Sequence, residues 1–530
     1  MAFYLAHAGA TLQKIDVAGI VETLTLPAAV TMSVARRSRF AVLNNSVLVV
    51  NGPSINLRVR TSDMAVRPLS IPAPVTVVTV GAGAAGVLTG PYKYWTSFCE
   101  RDAGVLISES PLSSVSATFT LTAQRAALSD LPVSTTTGVN DLRIYRSTSG
   151  GSVPFPLGYR GDNATLTYSD NTPDASLGST SVDTDLGNPA GTTASDYLTQ
   201  ITEWKQRLWA VSNTFPDTVI YSGVGKWYAW PALNSLDVNP KGQGTSGLVA
   251  FLVRRDELGL AKRRSISKIV GTSSANYQII NVSPTIGVFA PESVVTIGDV
   301  VYFLSDDGVY AWDSSGVNRI DTERVAAWFT TDTYFNRARF VNAFAVWNKR
   351  ENTYELHLAA AGSSFEDRWV SFDLARRVWL GPHKTDAFTP SCAAALEDAD
   401  ARGVLMVGGL DANLYRANDP VQSDGSTAID FDVTTGVYSG GEPAMTKHWG
   451  ALTVLTRPQS AGTLSVAPTV GTIDAVAQSA LSHDLTLGRE RLARLGDGEL
   501  LSLRFRQNTN GQDCQIYGFE VEPVSAVGRR

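Results

Sequence analysis

The sequence has few of the residues that build zinc, redox or disulfide sites. Only three cysteines and five histidines occur in 530 residues, and Cys99, Cys392 and Cys514 lie far apart. There is no Cys-x-x-Cys pair, no His-x-x-x-His spacing and no His-Glu-x-x-His motif. The sequence therefore supports neither a zinc site nor a disulfide framework, and we predict no metal and no cofactor.

Long apolar runs and an excess of positive charge are also missing. No stretch approaches the ~20 apolar residues that a membrane-spanning helix needs. Residues 1–16 lack the basic start and apolar stretch of a signal peptide. These absences predict a protein made in the cytoplasm without a membrane span. The net charge of −6 argues against a strongly cationic nucleic-acid binder, because that affinity depends on neutralised phosphates.

Turn residues are abundant and divide the chain into short alternating runs. The sequence has 45 glycines and 24 prolines, which is enough to separate many strands. In residues 40–60, Asn44-Asn45 and Gly52-Pro53 predict turns between three strands. From Trp204 to Ile320, two runs are rich in tryptophan and tyrosine. Alternation of this kind is typical of antiparallel strands, so the sequence predicts an all-β protein.

Texture changes along the chain predict four segments. A sequence pattern of a strand, a polar turn and a strand with an aromatic residue recurs with a spacing of about 40–50 residues, as in the blades of a β-propeller. Short helices are predicted only at Thr322–Phe329 and Arg489–Leu495. The predicted segments are N-terminal strands of the propeller or a platform (1–75), an inserted β-sandwich with a fibronectin III-like pattern (76–180), propeller blades (181–430), and a C-terminal sandwich or closing blades (431–530).

Two glycine-rich motifs resemble phosphate-binding loops but lack their context. Residues 81–86 match G-x-G-x-x-G, yet Gly90-Pro91 leaves no room for the helix that would receive a pyrophosphate. We interpret this motif as a flexible hinge between domains. Gly223–Lys226 lacks the full spacing and the following Ser or Thr of a P-loop, and is predicted to form a turn.

Three acidic motifs are likewise predicted to be turns or solvated loops rather than sites. Ser305–Trp312 nearly matches the Asp-box of sialidase-type propellers, and a true Asp-box is itself a structural turn. Asp183 and Asp185 begin a calcium-loop fragment that lacks the terminal glutamate. A glycosidase would need two carboxylates that converge on its substrate, and no such pair can be located in the sequence. The third motif is the acidic turn formed by Glu397, Asp398 and Asp400.

Short basic clusters are the remaining candidate binding elements. They lack the alternating aromatic residues of a single-strand nucleic-acid binder. Because the planar fork of arginine suits protein interfaces, we predict that they contact subunits or partners. The clusters are Arg36-Arg37, Arg254-Arg255, Lys262-Arg263-Arg264 and Arg376-Arg377.

Six short segments follow one another in a recognisable order, at residues 206–210, 219–222, 226–230, 265–271, 290–295 and 301–310. Their order resembles that in the tail nozzle or hub proteins of short-tailed bacteriophages, also called tail tubular protein B or packaged-DNA stabilisation proteins. The resemblance implies a structural virion protein with no catalytic residues, placed in the virion tail and assembled in the cytoplasm of the bacterial host. It implies a hexameric ring below the portal-adaptor ring, which encloses the channel for genome retention and ejection and offers attachment sites for tail fibres or spikes.

The net charge fits a channel through which double-stranded DNA passes without sequence-specific binding. Six copies would carry about −36, six times the −6 of one chain. Net repulsion lets DNA slide, because binding strength depends on neutralised phosphates. We hypothesise a neutral to acidic lumen. A propeller glycan hydrolase and a host-binding tail adhesin remain the alternative functions.

Overall fold

The computed structural model shows an all-β protein, which confirms the predicted class. Strands make up 53% and helices 4% of the protein, so sheets alone determine the architecture. Residue contacts divide the chain into two units, the first being Met1–Ser364, Val370–Leu380 and Ala393–Val404, and the second Phe365–Trp369, Gly381–Cys392 and Leu405–Arg530. The structure describes residues 3–16, 18–28, 30–34, 36–52, 56–177, 197–238, 247–321, 323–385, 387–397, 402–417, 423–424, 427–441, 443–471, 476–522 and 525–526.

The N-terminal residues form two antiparallel sheets in which consecutive strands pair. The predicted turn at Asn44-Asn45 is confirmed, because Asn44 adopts φ 52° between two paired strands. A third strand follows, as predicted, while Pro53 lies outside the described residues. The first sheet contains β1 (Phe3–Ala8), β2 (Thr11–Asp16) and β3 (Val21–Leu24), and the second β4 (Arg39–Leu43), β5 (Ser46–Val50), β6 (Leu57–Arg60) and β7 (Val66–Pro68).

The next segment folds into two sheets that share one hydrophobic core. Tyr94 and Ile144 from one sheet and Leu88 and Leu121 from the other are almost completely buried in it. One sheet has the order β10-β9-β12-β13 and the other β14-β11-β8. The strands are β8 (Thr79–Tyr92), β9 (Tyr94–Asp102), β10 (Val105–Glu109), β11 (Phe119–Ser129), β12 (Asp141–Arg146), β13 (Phe155–Tyr159) and β14 (Tyr168–Asp170), followed by a 3-10 helix at Asp174–Ser176.

The glycine-rich motif at residues 81–86 lies inside β8, so its interpretation as a flexible hinge was wrong. The motif pairs with β11 rather than preceding a helix. A Cβ at Gly86 would lie 2.3 Å from Asn171 Oδ1, the atom that accepts a 2.9 Å hydrogen bond from the Val87 amide. Glycine therefore serves here to let a neighbouring side chain approach the strand.

A serine segment covers the part of β9 that β10 leaves unpaired. Its serines recur every three residues, whereas the strand residues that they face recur every two. Each serine donates its backbone amide to a strand carbonyl and accepts the amide of the same strand residue on Oγ, at 2.8–3.0 Å. The pairs are Ser110 with Phe98, Ser113 with Thr96, and Ser116 with Tyr94.

Four further sheets repeat the four-stranded meander of β4–β7, each strand pairing with the next along the chain. They contain β15 (Leu198–Trp204), β16 (Arg207–Ser212), β17 (Thr218–Tyr221) and β18 (Ser235–Asp237); β19 (Ala250–Val253), β20 (Leu258–Ala261), β21 (Ile266–Val270) and β22 (Gln278–Ser283); β23 (Val295–Ile297), β24 (Val300–Leu304), β25 (Val309–Asp313) and β26 (Gly316–Arg319); and β27 (Phe344–Asn348), β28 (Thr353–Leu358), β29 (Arg368–Asp373) and β30 (Val378–His383).

Several first strands of these meanders are neighbours. Strand β4 adjoins β15, β15 adjoins β19, and β23 adjoins β27. Between the last two meanders lies α1 (Glu323–Thr330), which confirms the helix predicted at Thr322–Phe329. Two 3-10 helices, Pro291–Ser293 and Arg337–Asn342, lead into β23 and β27. The starts of the first strands are thus brought together from distant parts of the sequence.

The C-terminal residues form two larger sheets around a core that contains Trp449 and Phe505. The helix predicted at Arg489–Leu495 was wrong, because this segment is a strand paired with β37. The remaining strands are β31 (Pro390–Glu397), β32 (Gly403–Gly409), β33 (Leu414–Ala417), β34 (Ser423–Asp424), β35 (Thr427–Ala428), β36 (Phe431–Thr434), β37 (Lys447–Thr456), β38 (Thr463–Gly471), β39 (Val476–Ala477), β40 (Leu481–Asp484), β41 (Arg489–Gly498), β42 (Leu500–Gln507), β43 (Ile516–Val521) and β44 (Ser525–Ala526).

Candidate functional site

A cleft of about 420 Å³ lies where the first strands of four meanders begin. Its walls come from the segments that enter β4, β15, β23 and β27, together with part of β5. No sequence motif joins these segments, since the topology alone brings them together. The lining residues are Arg36, Arg37, Arg39, Val50, Gly52, Leu198, Thr199, Gln200, Pro291, Glu292, Val341 and Asn342. We name this the arginine cleft.

Positive charge dominates the lining of the arginine cleft. Its described lining residues carry three guanidinium groups, on Arg36, Arg37 and Arg39, and one carboxylate, on Glu292. Arg39 and Glu292 form an ion pair. Burial lowers the pKa of Arg39 to about 10, and the nearby charge of Arg37 adds to this effect. The protein thus keeps like charges close together in a partly desolvated place, a pattern more common at binding sites than on ordinary surfaces.

The two exposed arginines are held against aromatic rings. The guanidinium carbon of Arg36 lies 4.8 Å from the centroid of the Tyr197 ring, and that of Arg37 lies 5.5 Å from the centroid of Phe344. Gly52 has φ 78°, and a Cβ there would lie 2.4 Å from Arg36 Cδ, so glycine makes room for the arginine stem. These cation–π contacts restrict the positions of both guanidinium groups.

A buried amide fixes the backbone that carries the two arginines. Asn51 is 3% exposed, and its Nδ2 donates to the carbonyl oxygen of Arg36 at 3.1 Å and to Ser38 Oγ at 3.0 Å. Its Oδ1 accepts the amide of Ser33. The loop before β4 is therefore tied, on both sides of Arg36, to the residue that follows β5, and this organises the cleft before any ligand arrives.

His357 supports the cleft from within the protein. Its ring stacks on Phe344, with centroids 4.4 Å apart and planes 8° apart. Complete burial lowers the pKa of His357 from 6.5 to about 3, so the imidazole stays neutral in the folded protein at ordinary pH. Phe344 therefore contacts both a neutral imidazole and the guanidinium of Arg37.

We expect His357 to make stability fall as the pH is lowered. Between about pH 6.5 and 3 the unfolded chain binds a proton that the folded protein does not. Stability should fall by up to ~1.4 kcal/mol per pH unit in that window from this group alone. Urea denaturation of the wild type and His357→Phe between pH 7 and 4 measures the difference in slope. Equal slopes in His357→Phe and the wild type would contradict this assignment.

The other basic clusters are used at least in part for ion pairs within the chain. Whether any of them also contacts a partner stays a prediction. The pairs are Arg254 with Glu257 and Asp299 (2.8 and 2.7 Å), Lys262 with Asp217 (2.6 Å), Arg264 with Asp306 (3.3 Å) and Arg376 with Asp373 (3.2 Å). Only Arg36-Arg37 of the predicted clusters lines the arginine cleft.

The Asp-box-like motif is a turn, as predicted. Between β24 and β25 the amide of Ser305 donates to the carbonyl oxygen of Gly308 at 2.8 Å. The carboxylate of Asp307 accepts the hydroxyl of Tyr310 at 3.0 Å rather than facing a cleft. The motif therefore closes a hairpin.

The parts of the remaining motifs that the structure describes do not line the arginine cleft. Gly223 bridges to Lys226 in a tight turn, which confirms that prediction. Glu397 pairs with Lys349 at 2.9 Å. Asp183, Asp185, Asp398 and Asp400 lie outside the described residues.

One arrangement that the sequence did not reveal has the order of a catalytic triad. In the second unit, Thr456 Oγ1 lies 2.9 Å from His483 Nε2, and His483 Nδ1 lies 2.9 Å from Glu490 Oε2. The Thr456 hydroxyl, however, donates to the carbonyl oxygen of Leu487 at 3.1 Å, and His483 is completely buried. The hydroxyl proton of Thr456 is thus directed away from the imidazole, and the buried His483 is not accessible to a substrate. The arrangement is therefore structural.

The described residues offer no metal centre and no membrane helix. Within those ranges, no group of three or more His, Cys, Asp or Glu side chains is placed to hold a metal ion. Among the same residues, every helix is too short or too polar to cross a bilayer.

Comparisons with known proteins give weak similarities only. No family model and no curated protein matches the sequence. Among solved structures, the computationally designed Ika8 protein is 8% identical with a TM-score of 0.30, covering 78% of this chain and 94% of that one. PorZ, a surface component of the type-IX secretion system of Porphyromonas gingivalis, is 9% identical with a TM-score of 0.29, covering 99% and 80%. An exo-β-1,3-galactanase from Phanerochaete chrysosporium is 9% identical with a TM-score of 0.20, covering 98% and 100%. These values are too low for any of the similarities to bear on function.

Proposed function

We propose that this chain is a structural protein built on a β-propeller, which forms the ring-shaped tail nozzle of a short-tailed bacteriophage. The observation that carries the proposal is the series of four-stranded meanders, several of whose first strands are neighbours. In a propeller each blade is such a meander, arranged around a central channel. The aromatic phrases that resemble the nozzle family fall within these meanders.

The position of the two-sheet segment supports the same function. Residues 79–170 lie between the first meander, β4–β7, and the second, β15–β18. A fibronectin III-like sandwich inserted ahead of most of the propeller is what the resemblance to nozzle proteins implies. In the proposed ring this sandwich offers a surface for tail fibres or spikes, and double-stranded DNA passes through the lumen.

The chemistry of the arginine cleft favours a non-enzymatic role over glycan hydrolysis. Glycosidases use two carboxylates about 5–9.5 Å apart. The described lining of the cleft holds one, Glu292, and that one is paired with Arg39. The cleft thus suits binding better than acid–base catalysis.

The oligomeric state tests the proposed function. We expect light scattering after size exclusion to give about six times the 56.7 kDa of one chain, alone or after addition of the portal-adaptor complex. Class averages of negatively stained particles should show a sixfold ring. If the protein is a monomer that hydrolyses glycans, the proposed function is wrong and the chain is a hydrolase. If it is a trimer that binds host cells, the chain is an adhesin.

A further inference from the structure

We propose that the arginine cleft binds a small phosphate-type oxyanion. Nothing in the ring-forming role requires this activity, and it stands on the geometry of the cleft alone. All the residues that line the cleft belong to the first unit.

The donors that line the cleft suit a tetrahedral anion. Arg36 and Arg37 line it from the loop before β4, Gln200 from the start of β15, and Asn342 from the segment before β27. The hydroxyl of Thr199, which also lines the cleft, donates to the carbonyl oxygen of Val211 at 3.2 Å. A phosphate accepts hydrogen bonds on several oxygens from different directions, and guanidinium groups match its edges. Donors that converge from three separate elements fit this shape better than they fit a flat carboxylate.

The cleft is prepared for a ligand rather than collapsed around its own charges. Asn51 ties down the loop that carries Arg36, and the ring of Tyr197 lies against the Arg36 guanidinium. Arg36 nevertheless remains exposed to the solvent of the cleft. Because these groups are already held in place, binding loses little conformational entropy, and this favours affinity for a small ligand.

Among the lining residues that the structure describes, Glu292 alone carries a negative charge that opposes an anion. Its carboxylate is paired with Arg39, which offsets much of its repulsion but also occupies that guanidinium. Removal of this negative charge should therefore strengthen anion binding, whereas a merely structural arginine cluster would gain nothing toward phosphate. The test can therefore compare a variant expected to bind phosphate more tightly with variants expected to bind it more weakly.

Calorimetric titration with inorganic phosphate, at constant ionic strength in chloride buffer, tests the proposal on the full chain. The wild type should bind saturably. Arg36→Gln should weaken binding roughly tenfold or more, because a charge-assisted hydrogen bond is lost, and Arg36→Lys should weaken it less. Glu292→Gln should tighten binding. Arg264→Gln, which removes the same charge at a side chain that is 81% exposed, should leave it unchanged.

Two further titrations identify the source of the phosphate. Tighter binding of a short thymidine oligonucleotide than of inorganic phosphate, lost in Arg36→Gln, would assign the cleft to a polymer backbone. Binding of inorganic phosphate or pyrophosphate without the oligonucleotide would assign it to a free anion. Absence of saturable binding by the wild type, or equal weakening by Arg264→Gln, would overturn the proposal. If circular dichroism shows that Arg36→Gln is unfolded, Arg36→Lys and Glu292→Gln decide the outcome.

Discussion

Replacing Arg146 with methionine is expected to lower the stability of the two-sheet segment by about 3–5 kcal/mol. Arg146 is completely buried. Its Nη1 donates to Asp170 Oδ2 and to the carbonyl oxygen of Thr172, both at 2.7 Å, and its Nη2 donates to Asp174 Oδ1 at 2.8 Å. Asp170 also accepts the hydroxyl of Tyr94 at 2.8 Å. Without the guanidinium, the Asp170 carboxylate would remain buried without its countercharge.

Hydrogen exchange of residues 79–170 in increasing urea measures this loss locally. Arg376→Met is the control, because it removes an arginine that is 79% exposed and should change stability by less than about 1 kcal/mol. The double variant Arg146→Met with Asp170→Leu should recover part of the loss, since no buried charge is then left alone. A cost for Arg146→Met no larger than that of the control would show that the buried network does not stabilise the segment.

Replacing Glu100 with leucine should loosen the attachment of the two-sheet segment to the first meander, again at a cost of about 3–5 kcal/mol. Glu100, on β9, pairs with Arg58, on β6, and both are buried. The Arg58 guanidinium also lies 4.2 Å from the centroid of the Trp227 ring. Burial lowers the pKa of Arg58, while Glu100 acts to raise it. The carboxylate thus makes a buried cation tolerable at the junction of three segments.

The readout for Glu100→Leu differs from that for Arg146. Protection from hydrogen exchange should fall on β6 and around Trp227, while the core of the two-sheet segment, including Tyr94, stays protected. Asp102→Asn is a matched control two residues further along β9, because Asp102 is 61% exposed and pairs with Arg60 at 2.8 Å. Its effect should stay below about 1 kcal/mol. Loss of protection limited to the core would instead place the main role of Glu100 within the segment.

Where local sequence signals were strong, they predicted the secondary structure well. Asn44-Asn45 gave a hairpin, and the helix near Thr322–Phe329 was found. The predicted helix at Arg489–Leu495 failed because its long, straight-chain residues favour a helix locally, whereas pairing with β37 decides its structure. The hinge at residues 81–86 failed for a related reason. Glycine and alanine look flexible alone, but β11 supplies the partner that makes them a strand.

The arginine cleft could be predicted only in part. Arg36-Arg37 was visible as a basic pair, but Glu292, Gln200 and Asn342 are ordinary residues in their own segments. These residues line one cleft only because the topology brings the starts of several strands together. No local sequence pattern indicates that segments so far apart in the chain become neighbours. The pairing of Glu100 with Arg58 was hidden for the same reason, since each lies in a separate sheet.

The serine segment beside β9 has a consequence for molecules at high concentration. A strand with free amides and carbonyls is a template on which another chain can add its own strand, and this is a common route to aggregation. The hydroxyls of Ser110, Ser113 and Ser116 occupy the β9 amides, while the serine amides occupy its carbonyls. Because the covering segment repeats every three residues, it cannot itself continue as a regular ladder. Copies of the chain at high concentration are thus kept from pairing with one another through this edge of β9.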